Sequence, residues 1–389
     1  MSNKEPIWTK PFISLFATNL SIFIVFYGLV TVLPLYAKEQ LSRTDEEAGL
    51  LMTIFMISAI LVRPFTGKIL DIVGKRKMLG IGLIFYVVCT FLYYFISPFE
   101  GLLVIRFVQG VWFSIVSTAT ISLAADYVPE SRRGAGLGYF SMSLNLAVVI
   151  GPFIALTIIQ SFSFDIFFIL LSVLMAIGAL ASLTLPPEPV QHRPSGKFTI
   201  TFNDLFEKKA LPVAIFGCVI AFSYASVLSY LSIFAQQQGL LDYASIFFVV
   251  YAAVMLISRP YTGRLFDEKG PAYVIIPGLI FFIIGFFLLA DVHSVFVFLL
   301  AGAFIGFGYG SILPSMQTLA VQSTDASRSG YATATFYTLF DSGIAVGSYV
   351  LGLIAVYTGY QTVYVLSAGI VIMALLGYLA LGKKKKAVR

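Results

Sequence analysis

The sequence predicts an all-α membrane protein with twelve transmembrane helices in two six-helix pseudo-symmetric bundles. Three observations predict it. Of the 389 residues, 59% are hydrophobic and only 11% charged, against roughly 25% charged in an ordinary globular chain; mean hydropathy is +0.92. The charges form short islands between apolar runs of about 20 residues, the length that spans a hydrocarbon core. A short pattern also recurs: Arg63, Pro64, Thr66, Gly67 and Asp71 reappear as Arg259, Pro260, Thr262, Gly263 and Asp267, each 196 residues later. Backbone groups in lipid must pair internally, so only helices or closed barrels can span it. Continuous apolar runs without polar alternation exclude the barrel.

The runs define helices 1 to 12 at 12–36, 48–66, 78–97, 101–124, 135–160, 164–185, 211–236, 243–262, 272–290, 294–320, 330–357 and 360–381. The expected organisation is an N-terminal bundle over 1–185, a cytoplasmic linker over 186–210, and a C-terminal bundle with a basic tail over 211–389. Pro186, Pro187, Pro189 and Pro194 break the apolar pattern in that linker. All of the 25 Lys and Arg except Lys38, Arg43, Arg63, Arg106 and Arg259 fall at the termini or in loops on one side. By the positive-inside rule both termini and the linker are cytoplasmic. The net charge of +6 thus sets topology, and no nucleic-acid signal is present. The first run is too long for a signal-peptide core and no small-residue cleavage site follows, so it reads as a retained helix. Cys89 and Cys218 stand alone within helices, and His192 and His293 lie in loops. Neither spacing suggests a metal, a disulfide or a cofactor.

The stretch Leu61 to Gly80 reads as a tight turn at the membrane surface. Gly67 and Gly74 allow close approach and unusual dihedrals, and Lys75, Arg76 and Lys77 hold the turn at an anionic cytoplasmic face. Helix 4 contains Arg106, about five residues inside its outer end and hence about 8 Å deep, with Gln109 and Gly110 after it. It either snorkels or faces the interior, and intramembrane charges usually face a bundle interior or water cavity. Asp126 ends this helix, and Arg132 and Arg133 open helix 5. Gly151 and Pro152 lie in the middle of helix 5, where a small residue permits close helix contact and proline kinks the axis. The pair reads as a contact line between the halves or as a structural kink.

The second half replays the first at a constant offset, with Gly110 matching Gly306 and Gly151 matching Gly347. Two fused six-helix halves of the same orientation follow. Where the copies differ, chemistry is expected: Arg106 becomes Gly302, Asn145 becomes Asp341, and the basic triplet becomes Pro271, Ala272 and Tyr273. Asp341 sits about eleven residues into helix 11, roughly 16 Å deep. Desolvation favours the neutral form of a lone carboxylate, so Asp341 could bind and release protons as water access changes sides. The plainer alternative is a structural, hydrogen-bonded or paired Asp. Arg63 and Arg259 read as interfacial anchors.

Gly67, Asp71, Gly74, Lys75, Arg76 and Lys77 together resemble the helix 2–3 signature of the major facilitator superfamily, and the resemblance covers nearly the whole chain. It implies that Asp71 caps the start of helix 11 and that Arg76 pairs with Asp126, forming a conformational latch. Because the second copy lacks the basic triplet, the latch should act mainly through the first half. Arg106, Gln109 and Gly110 resemble the family's helix 4 motif, whose Arg is tied to proton coupling. Gly138, Ala147, Gly151, Pro152 and Ala155 resemble the helix 5 motif of the drug:proton antiporter branch with two glycines replaced by alanine, and Asn145 lies within it. An acid that many such exporters carry in helix 1 is missing, which places coupling on Asp341.

If helices 1, 4, 7 and 10 line a central path, as in duplicated carriers, its lining includes Asn19, Tyr27, Arg106, Gln109, Trp112, Tyr224, Tyr230 and Tyr309, suited to an amphipathic organic solute. The expected function is therefore proton-coupled export of a drug-like or amphipathic small molecule by alternating access, in the plasma membrane and as a monomer. Proton and solute are the partners beside the bilayer. The rival readings are an uptake or exchange carrier for a sugar or other metabolite and a non-transporting receptor or scaffold. An enzyme is not expected, because no nucleophile–base pair, metal cluster or phosphate loop occurs.

Overall fold

A computed structural model describes residues 6–43, 45–96, 98–186 and 205–387. Among the described residues there are twelve long helices: α1 (Lys10–Glu39), α2 (Asp45–Val73), α3 (Lys75–Leu92), α4 (Phe99–Tyr127), α5 (Arg133–Ser161), α6 (Phe164–Ser182), α7 (Leu211–Gln237), α8 (Ala244–Lys269), α9 (Ala272–Ala290), α10 (Val295–Gln322), α11 (Ser329–Thr358) and α12 (Tyr360–Ala387). Eleven are long and apolar enough to cross a membrane by length and composition. The exception, α3, has 18 residues, and its first three are Lys75, Arg76 and Lys77. Large apolar side chains such as Ile84, Val104, Phe153 and Val356 point outward at 64, 64, 69 and 80% exposure. A surface of that kind is stable against lipid and aggregates in water.

The chain divides into two compact units. The first contains Met1–Glu130, Phe140–Glu207 and Thr324–Thr335; the second contains Ser131–Tyr139, Lys208–Ser323 and Phe336–Arg389. Inside the first unit α2 and α3 pack on α4, while α1 and α3 pack on α6. The second unit repeats this: α8 and α9 pack on α10, while α7 and α9 pack on α12. A 3-10 turn, Glu130–Arg132, leads into α5, and its counterpart Ala326–Arg328 leads into α11.

Repeated glycines set the closest approaches. A Cβ on Gly110 would fall 2.4 Å from the Phe55 carbonyl oxygen of α2, and one on Gly306 would fall 2.4 Å from the Tyr251 carbonyl oxygen of α8. In lipid there is little hydrophobic force between helices, so association depends on such close packing. Gly151 meets α1, where its Cβ would lie 2.8 Å from Tyr27 Cβ. Gly347 meets α7, 2.5 Å from the Phe222 carbonyl oxygen. The closest approach at each of these two glycines is therefore to a helix of the same half.

The expected turn over Leu61 to Gly80 is far shorter than the pattern suggests. Helix α2 continues through Arg63 and Pro64 to Val73, and Gly74 alone, at φ 95°, separates it from α3. Gly270 repeats the geometry at φ 95°. Pro64 does not end α2, because its ring removes one donor and neighbouring helices and side chains can re-satisfy the freed carbonyl.

Gly110→Ala should lower stability by about 1–3 kcal/mol through overpacking, whereas Gly80→Ala, which meets nothing within 4 Å, should be near neutral. Thermal unfolding of the two purified variants in detergent checks this.

Candidate functional site

Arg106 is 1% exposed and does not snorkel. Its Nε donates to the Leu51 carbonyl at 3.0 Å, Nη1 donates to Gln109 Oε1 at 3.1 Å, and Nη2 lies 3.7 Å from the Met52 sulfur. The guanidinium carbon sits 4.3 Å over the Phe55 ring. Tyr93 donates to Gln109 Oε1 at 2.8 Å, and Gln109 Nε2 donates to Thr90 Oγ1 at 3.4 Å. The cation is thus held by dipoles and a ring face, with no acid paired to it among the described residues. The same place in the second unit holds no cation: Gly302 stands there, and the Phe247 ring lies 3.0 Å from where its Cβ would be.

The other expected lining residues separate into groups. Asn19 is 2% exposed; its Nδ2 donates to Ser143 Oγ at 2.8 Å and its Oδ1 accepts from Thr120 at 2.9 Å, so it ties α1, α4 and α5 together. Tyr27 stacks edge-on with Phe26 at 4.9 Å. Trp112 lies flat on Phe85, centroids 4.3 Å apart, and Phe85 is 45% exposed; the structure does not bring it to the Arg106 cluster. In the second unit Tyr224 and Tyr309 stack at 3.7 Å, and the Tyr224 and Tyr251 hydroxyls are 3.1 Å apart. Tyr230 instead donates to the Ser348 carbonyl and packs with Tyr360 against Leu351 and Val363. Asp341 lies near the middle of the 30-residue α11 and is half-buried. Its counterpart Asn145 is 8% exposed, with Nδ2 unpartnered among the described residues.

The residues of the signature meet the start of α11 inside the first unit. Lys75 Nζ lies 2.5 Å from Asp126 Oδ2 and 2.6 Å from Ser329 Oγ, and Ser329 donates to Asp126 Oδ1 at 3.2 Å. Lys75 is thus a base on Asp126, beside the Arg76 that the resemblance named. Asp71 accepts the Tyr331 hydroxyl at 3.0 Å rather than a backbone N–H, and a Cβ on Gly67 would fall 2.8 Å from Tyr331 Cα. Glu207, near the end of the expected linker, adds an ion pair to Arg328 and a backbone N–H to Thr335 Oγ1 at 2.8 Å. The expected linker itself falls largely outside the described residues.

The degraded second copy makes the stronger cap. Asp267 accepts from the Gly134 N–H at 2.8 Å and the Ala135 N–H at 2.9 Å, one on each carboxylate oxygen, at the start of α5. These donors have no partner within the helix, and the carboxylate also opposes the positive end of the helix dipole. Gly263 allows the approach, since a Cβ there would fall 2.7 Å from Ala135 Cα. Sequence reasoning placed the latch in the first half because the basic triplet is absent here. The signal for the cap was the surviving pair Gly263 and Asp267. Arg63 and Arg259, expected as interfacial anchors, are instead 4% and 2% exposed within the protein.

Asp267→Ala should cost about 0.5–2 kcal/mol, as loss of an N-terminal cap does. Asp71→Ala, which loses a single neutral hydroxyl donor, should cost less. Chemical or thermal unfolding of both variants ranks them.

The model of the Major Facilitator Superfamily matches residues 15–276 and 241–388. An uncharacterized MFS-type transporter of Methanocaldococcus jannaschii is 24% identical over 366 residues, 91% of this chain and 94% of the relative. The Staphylopine export protein of Staphylococcus aureus is 24% identical over 379 residues, 94% of each chain. The Quinolone resistance protein NorA of the same species is 31% identical over 141 residues, 36% of each. Among solved structures, the human organic anion transporter MFSD10 superposes with a TM-score of 0.79 at 16% identity, covering 96% of this chain and 99% of its own. The family model spans nearly the whole length, and the chain belongs to the Major Facilitator Superfamily of membrane transporters.

Proposed function

We propose that the protein is a proton-coupled antiporter that exports a drug-like or amphipathic small molecule from the cell. It works by alternating access of a bundle over 1–185 and a bundle over 211–389, joined by a linker over 186–210. Both termini are cytoplasmic, the chain acts as a monomer, and the membrane is the plasma membrane. The observation that carries the reading is Arg106, a cation buried in α4 and held without a fixed acid among the described residues. A structural arginine at that depth would be expected to sit on a carboxylate. A cation held by neutral groups is available to bias a proton or an anion elsewhere in the cycle. Export is supported by the relative named for staphylopine export, whose match spans 94% of both chains, and by the shorter match to a quinolone resistance protein.

In this reading Asp341 carries the proton and Arg106 biases its release. Asn19, Tyr27, Gln109, Trp112, Tyr224, Tyr230 and Tyr309 belong to the solute path or support it. Gly67, Asp71, Gly74, Lys75, Arg76 and Asp126 form the latch that holds the start of α11. Gly138, Asn145, Gly151 and Pro152 shape α5 as an exporter requires. The solute left open by the relatives' names is a small organic molecule.

The test uses everted membrane vesicles with an acidic lumen and a panel of one cationic, one neutral and one anionic fluorescent dye. The wild type should accumulate at least one dye in a protonophore-sensitive manner, and Asp341→Asn should reduce that accumulation at least tenfold. Undiminished gradient-driven accumulation by Asp341→Asn removes Asp341 from the mechanism. Asp71→Asn should slow transport severalfold without lowering membrane insertion; normal transport there leaves the stretch as a topology signal only.

A further inference from the structure

Arg259 is a second buried cation, and nothing in the export mechanism uses it. It is 2% exposed, and its Nε has no hydrogen-bond partner. Among the described residues no carboxylate pairs with it and no hydrogen bond holds its guanidinium. Its titratable neighbours are the phenols of Tyr251, Tyr309 and Tyr337. Leaving a buried guanidinium unanswered is strongly unfavourable, and each buried donor removed from water without a partner adds to that cost. Arg106 shows how this chain surrounds a buried cation with neutral groups: every guanidinium nitrogen has a partner and a ring lies beneath. Arg259 has no such set.

Arg259 also lines a narrow, half-open recess within the second unit, together with Gly138 of α5, Thr262 of α8, and Ser311, Ser315 and Thr318 of α10. The four hydroxyls donate to carbonyls of their own helices, at 3.1, 2.6, 2.7 and 2.8 Å. The guanidinium is therefore the donor left for an occupant. A Cβ on Gly138 would meet nothing within 4 Å, so the wall formed by α5 leaves space open. The recess suits a small polar group and not a whole drug-sized molecule. A planar guanidinium offers two parallel N–H donors that match a carboxylate.

We infer that Arg259 is the receptor for the carboxylate of an organic anion, and that the exported solutes are carboxylate-bearing amphipaths. The inference rests on the export reading and names its substrate class. When the carboxylate docks, the buried charge gains the counter-ion that the fold withholds. Arg259 then supplies both affinity and discrimination, because a neutral analogue leaves the cation unpaired. A site built to pair a substrate group rejects the analogue lacking it far more strongly than an apolar pocket does.

The experiment measures equilibrium binding of radiolabelled salicylate, with its neutral analogue salicylamide as comparator, to the purified full chain in detergent. The wild type should bind salicylate saturably and prefer it over salicylamide at least tenfold. Arg259→Gln should raise the Kd for salicylate at least tenfold and abolish the preference, and Arg259→Lys should fall between. Should Arg259→Gln fail to fold, Gly138→Cys keeps the arginine and places a thiol in the recess. Its modification by N-ethylmaleimide, read by mass spectrometry at that position, should slow severalfold with salicylate and not with salicylamide. Equal binding by Arg259→Gln, equal protection by salicylamide, or no saturable salicylate binding by the wild type overturns the inference. Competition by chloride or inorganic phosphate as effective as by unlabelled salicylate marks a site for inorganic ions and overturns the substrate class. Export of dyes with salicylate binding indifferent to Arg259 overturns this inference alone; absence of export of every dye overturns both readings.

Discussion

A polar group inside a membrane has no water to fall back on, and the fold of this chain follows from that constraint. Helices satisfy their own backbones, so what remains is to bring them together without a hydrophobic force and to answer the few charges between them. Glycines at Gly110, Gly151, Gly306 and Gly347 do the first by letting a helix meet the backbone or Cβ of its neighbour. The second is met unevenly. Arg106 is answered by a carbonyl, an amide, a sulfur and a ring, whereas among the described residues Arg259 Nε has no hydrogen-bond partner.

The duplication explains how one sequence can carry both stability and function. Each unit uses the same helix pairings, so a pattern of small residues tested once serves twice. Divergence is then tolerated where packing can absorb it. The loss of Arg106 in the second copy is absorbed by Phe247, whose ring approaches Gly302. The replacement of Asn145 by Asp341 introduces a carboxylate into α11 at the position where the first copy keeps a neutral amide.

The starts of α5 and α11 are the parts of the chain held by side chains rather than by helix packing alone. Asp267 takes two backbone donors of α5, and Lys75, Asp126, Ser329, Asp71 and Tyr331 secure α11 through side-chain contacts. Exposed or half-exposed ion pairs such as Lys75 with Asp126 contribute at most about 1 kcal/mol each. Contacts of that strength can hold one arrangement and still release it within a transport cycle. The fold class, the helix number and the repeat were legible in the sequence because lipid forces long apolar runs and copied glycines leave a fixed offset. The length of the turn was not, because Arg63 and Pro64 look like a helix end until tertiary neighbours carry α2 past them to Val73. The buried state of Arg63 and Arg259 was hidden for a related reason: a cation near a helix end reads as snorkelling unless the neighbouring helices are known to cover it.

The central claim is that solute moves outward only as protons move inward. Purified chain reconstituted into liposomes, with a trapped pH-sensitive dye and no imposed gradient, tests it directly when the best-exported compound is added outside. The account predicts a rise in lumenal pH as solute enters and protons leave, at a fixed ratio and absent from protein-free liposomes. Solute entry with no pH change, or with lumenal acidification, would contradict it.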